Sequence, residues 1–153
     1  MEIKRDSYLE QLKIRKDNGM IKIITGVRRC GKSFLLFVLF KKYLLETGVD
    51  SEHIIEIALD GIENEELRDP KKCYQHIKDR VEDEQKYYLL LDEVQFMPRF
   101  EEVLNSLLRI SNIAEFIRCP LQSSMRLLTE IMMMHLYGGN ASLTVVTTRG
   151  IWN

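Results

Sequence analysis

At 153 residues the chain has room for one domain core and little more, and its 45% hydrophobic and 29% charged residues place it among globular rather than disordered sequences. A formal net charge of −1 excludes a general attraction to nucleic acid or to an acidic membrane surface, so any anion site must be local. Cys30, Cys73 and Cys119 are far apart, odd in number and without a CxxC spacing, and His53, His76 and His135 complete no zinc-site pattern, which points to reduced thiols rather than a disulfide framework or a zinc site. No apolar stretch follows the charged start and no run is long enough for a bilayer, so the expectation is a cytoplasmic chain without a membrane span.

In chain order, Asp6 to Lys16 reads as an amphipathic helix with Tyr8, Leu9, Leu12 and Ile14 on one side, ended by turn chemistry at Asn18 and Gly19. Met20 to Thr25 is a β-branched strand, and Ser33 to Thr47 has helical spacing that stops at Gly48. His53 to Asp60 is a second strand, followed by an acidic loop or short helix. Pro70 opens a helix carrying Tyr74, Ile77 and Val81. The run "KYYLLLDEVQ" is nearly continuous in apolar residues, as a strand buried on both faces of a parallel sheet should be. Phe100 to Ile110 is helical, with Val103, Leu104, Leu107 and Leu108 as its stripe. The alternation of strand and helix predicts an α/β fold with a parallel sheet. Beyond Asn112 one helix near Met125 to Leu136 and one strand near Leu143 to Thr147 are expected.

Two motifs carry chemistry. "GVRRCGKS" fits G-x-x-x-x-G-K-[ST], comprising Gly26, Val27, Arg28, Arg29, Cys30, Gly31, Lys32 and Ser33, with a strand before it and a helix after it. Glycines at this spacing let successive backbone N–H groups curl around phosphate, and the helix that follows presents its unpaired N-terminal donors. Lys32 would reach the β- and γ-phosphates, and the Ser33 hydroxyl would ligate Mg²⁺. The second motif closes "YLLLDE", where Asp92 would sit in the Mg²⁺ shell opposite Ser33 and Glu93 would polarise an attacking water. Arg28 and Arg29 either face the γ-phosphate or point outward to solvent. Cys30 fills space beneath the loop. Gln95 is either a polar relay to the γ-phosphate or a turn residue.

"GVRRCGKS", "YYLLLDEVQ" and the leading "IKRDSYLEQL" together resemble the prokaryotic AAA-type P-loop ATPases of the AAA_14 or DUF4143-like group, over Met1 to about Asn112. The resemblance implies a RecA/AAA-like sheet with an additional strand, ATP and Mg²⁺ as cofactors, Lys32 and Ser33 at the Walker A positions, and Asp92 and Glu93 at the Walker B positions. It also implies a strand ending in a sensor motif after the Walker B helix, and neither is legible from Ile113 onward. The expectation is therefore a P-loop core over residues 1–112 and an atypical, deleted or out-of-frame segment over 113–153. A missing strand would leave the sheet edge beside Walker B uncovered and open to self-association. The function expected is ATP binding with ancestral Mg²⁺-dependent hydrolysis. The alternatives are a nucleotide-binding module without turnover, and a truncated remnant. Any link to DNA comes through the family alone.

Overall fold

The computed structural model describes residues 9–14, 16–17, 21–25, 35–118 and 143–147. Its strands are Ile21–Thr25 (β1), Ile54–Ala58 (β2), Tyr87–Asp92 (β3), Ile113–Arg118 (β4) and Leu143–Thr147 (β5). Residues 9–14 are helical (α1), and a π-helical segment, Leu35–Phe40, runs into an α-helix, Lys41–Glu46 (α2). Two longer helices follow, Pro70–Arg80 (α3) and Phe100–Leu107 (α4), with 3₁₀ turns at Ser51–His53, Ile62–Arg68 and Val94–Phe96. The five strands form one sheet in the order β2-β3-β4-β1-β5, and every pairing is parallel.

Strand alternation divides the apolar side chains between two cores. On one face Ile23, Ile55, Ile57, Leu89, Leu91 and Ile117 meet Cys73 and Ile77 of α3 and Phe100, Val103, Leu104 and Leu107 of α4. On the other, Ile24, Ile54, Tyr88, Leu90 and Ala114 meet Leu12, Leu35, Leu36, Phe40 and Leu44. All six residues of β3 are buried, as the continuous apolar run predicts for a central strand. Each fully buried Leu or Phe contributes about 1.5–3 kcal/mol, so both helical layers are held chiefly by packing.

Local chemistry sets the helix ends. Asp69 caps α3 by accepting from the Lys72 N–H at 3.0 Å, and Pro70 occupies the first helical position, where its missing N–H costs nothing. After α2, Gly48 takes φ +97°. The Val49 N–H then reaches the Leu44 carbonyl at 3.1 Å, and the Gly48 N–H reaches that of Leu45 at 3.2 Å. These two bonds form a Schellman motif that satisfies the last carbonyls of the helix.

Two expectations need correction. Ile14 is 77% exposed, while Leu12 is fully buried and Leu9 packs beside it. Two residues along a helix turn the side chain through about 200°, so Ile14 cannot share the face of Leu12. The strand judged absent after Ile113 is present as β4, which pairs with β3 on one side and β1 on the other. Glu115 interrupts its apolar pattern and hides the strand from a periodicity argument. With β4 in place, β3 has a partner on both sides, and no uncovered edge lies beside Asp92 to support self-association there. The strand expected near Leu143 to Thr147 is β5, alongside β1. The helix expected near Met125 to Leu136 lies outside the described residues.

Candidate functional site

In a parallel sheet, ligands bind beyond the carboxyl ends of the strands, between neighbours whose onward connections run in opposite directions. Here those neighbours are β1, which leads toward β2, and β4, which leads the other way to β5. Register sets the level of this edge: Ala58 of β2, Asp92 of β3, Arg118 of β4 and Ile24 of β1 stand side by side. Gly26 follows two residues after Ile24. The residues from Gly26 through Val27, Arg28, Arg29, Cys30, Gly31, Lys32 and Ser33 lie outside the described residues. The elements on either side of them, β1 ending at Thr25 and the helical segment starting at Leu35, are where the motif requires a strand and a helix.

Asp92 is 5% exposed at the end of β3. By alternation it shares the face of Tyr88 and Leu90, which pack against Leu35, Leu36 and Phe40. The acid therefore stands on the same side of the sheet as the helical segment that begins two residues after Ser33. Its carbonyl accepts from the Leu59 N–H at 3.0 Å, which ties the exits of β2 and β3 together.

Glu93 turns the chain out of the sheet with φ 56° and ψ 47°, a left-handed conformation uncommon for a residue with a side chain. The Phe96 N–H closes the turn on the Glu93 carbonyl at 3.1 Å, and the Gln95 Nε2 donates to Glu93 Oε2. Arg68 braces this rim from the β2 side. Its Nε donates to the Leu59 carbonyl at 2.8 Å, and its guanidinium lies 5.1 Å from the centre of the half-exposed Phe96 ring. No motif in the sequence singles out Arg68; only the meeting of the two strand exits gives it a role.

Asp92 and Glu93 thus stand at the carboxyl edge, Asp92 level with Ile24 of β1 across the intervening β4. The chemistry of these residue types fits Mg²⁺: a carboxylate oxygen of Asp92 and the hydroxyl of Ser33 would be hard ligands for an ion that takes one or two protein oxygens plus phosphate and water. A separate cavity of about 550 Å³ lies between α3 and α4, lined in part by Tyr74, Arg99, Val103 and Arg109. It belongs to the face opposite α2 and takes no part in this site. Among the described residues, no helix is long and apolar enough to cross a membrane.

A wholly parallel sheet of order β2-β3-β4-β1-β5, with an extra strand between the loop-bearing strand and the acid-bearing strand, defines a P-loop ATPase fold of the AAA type. The chain belongs to the AAA_14 family of AAA domains, whose model matches residues 18–147 and so runs through both β4 and β5. An uncharacterized protein of Haemophilus influenzae is 38% identical over 106 residues, which cover 69% of this chain and 26% of that protein. The chain therefore spans about a quarter of the length of this relative. Among solved structures, a chain of the Drosophila ORC–DNA complex superposes with a TM-score of 0.61 at 13% identity, covering 97% of this chain and 91% of that one. A DNA polymerase III gamma subunit-related protein from Thermotoga maritima gives 0.60 at 17% identity, with coverage of 92% and 45%. PCH-2 of C. elegans gives 0.57 at 16%, with coverage of 96% and 40%. These likenesses concern the fold.

Proposed function

We propose that the chain is a nucleotide-binding module that holds ATP with Mg²⁺ and hydrolyses it. The observation supporting this reading is the position of Asp92, buried at the end of β3 on the face of the helix that the glycine-rich segment leads into. In this reading the backbone N–H groups from Gly26 to Ser33 cradle the phosphates, and Lys32 neutralises charge on the β- and γ-phosphoryl oxygens. Ser33 and Asp92 would hold Mg²⁺, which would offset charge on the phosphates. Glu93 accepts a proton from a water whose oxygen attacks the γ-phosphorus. The bond from that phosphorus to the bridging oxygen breaks, and ADP and phosphate leave.

DNA enters only through the structural relatives, one of which is a DNA-bound ORC chain. A net charge of −1 offers no general attraction to a phosphate backbone, and we assign this chain no DNA contact. Phosphate release from ATP by the purified protein tests the hydrolytic reading. Glu93→Gln is expected to lower kcat by at least about a hundredfold while nucleotide still binds. Equal turnover in wild type and variant would remove Glu93 from the mechanism.

A further inference from the structure

The assignment of Glu93 as the water-orienting acid leaves open what holds its carboxylate, and this inference rests on that assignment. After β3 the left-handed Glu93 and the Val94–Phe96 turn bring the Gln95 side chain back over the acid. Its Nε2 donates to Glu93 Oε2. Its other end, Oε1, is buried without a hydrogen-bond partner among the described residues. A buried amide oxygen in that condition is costly, so the bond at the Nε2 end is what holds the side chain over the acid.

We propose that Gln95 is a positioning residue for hydrolysis. Its N–H fixes one oxygen of Glu93, so the carboxylate is held in one orientation toward the attacking water. A carboxylate held in this way loses rotational freedom, and the oxygen that takes the proton is the one left facing the water. Gln95 itself neither gains nor loses a proton in the step. The role needs a donor at this position, which an amide provides and a carboxylate or a thioether does not.

The test uses the full chain with Gln95→Met, which keeps the length but loses both polar ends, and Gln95→Glu, which keeps only acceptors. Both should lower kcat by about ten- to a hundredfold, with KM for ATP within about twofold and an unchanged unfolding midpoint. Retained kcat, a raised kcat, or a KM that rises in parallel would overturn the proposal. A second readout needs no turnover. In ¹⁵N-edited NMR spectra, the Gln95 side-chain amide pair, identified by its loss in Gln95→Met, should shift on Glu93→Ala. An amide pair indifferent to Glu93→Ala, in a wild-type protein that hydrolyses ATP, overturns this inference alone. A responsive pair in a protein without turnover overturns the hydrolytic reading, and with it the water-orienting role, leaving the contact structural.

Discussion

Lys22 and Glu115 stand on adjacent parallel strands and on opposite faces of the sheet. Lys22 is level with Phe116 and shares the side of Ile24, whereas Glu115 alternates with it and shares the side of Ile113 and Ile117. Both are about 1% exposed. The Lys22 ammonium reaches the Lys16 carbonyl at 3.2 Å, and burial, helped by the nearby Lys86, pushes its pKa down to about 8. Neither carboxyl oxygen of Glu115 has a hydrogen-bond partner among the described residues. Burial raises its pKa well above the usual 4.5, against the opposing pull of Lys22.

The two groups give opposite pH signatures. Glu115 keeps its proton in the fold after the unfolded chain has lost it, so stability falls as pH rises from about 4.5. Lys22 sheds its proton near pH 8 in the fold but at 10.5 in the unfolded chain, so stability recovers between those values. Urea unfolding across pH should show the fall, and Glu115→Met should flatten it and add about 1–3 kcal/mol at pH 7.5. An equally steep fall in Glu115→Met would mean that another group is responsible.

Cys73 is fully buried on the core face of α3, and burial pushes its thiol up to about 11. In a chain carrying Cys30→Ser and Cys119→Ser it is the one remaining thiol. Its reaction with a disulfide reagent at pH 8 should be at least about a thousandfold slower folded than in urea, limited by opening of the structure. Reaction at the unfolded rate would contradict the packing of α3.

Gly48 isolates a backbone effect. A methyl group added there meets nothing within 4 Å, so Gly48→Ala creates no clash and changes only the cost of φ +97°. The expected loss is about 1 kcal/mol in chemical denaturation, with no change in nucleotide affinity. An unchanged midpoint would show that the Schellman turn does not set the end of α2.

What could be read beforehand tracks how strongly each residue pattern is tied to one geometry. The β3 run could hardly be anything but a central strand, and Asp69-Pro70 marks a helix start by two independent effects, a capping acceptor and a fixed φ. β4 escaped because Glu115 breaks its apolar alternation, and its place depends on two partner strands distant in sequence. Ile14 was misassigned because apolar character alone says nothing about helical angle. At the site, Asp92 and Glu93 announce themselves by following an apolar strand. The bond from Gln95 to Glu93 depends on a left-handed residue with a side chain, which composition does not mark.

The most direct test of the nucleotide-binding reading is a titration of the purified chain with a fluorescent ATP analogue, with and without Mg²⁺, beside Lys32→Ala. The account predicts saturable binding at micromolar concentration, strengthened by Mg²⁺ and lost in the variant. Equal binding by wild type and Lys32→Ala, or none by either, would contradict it.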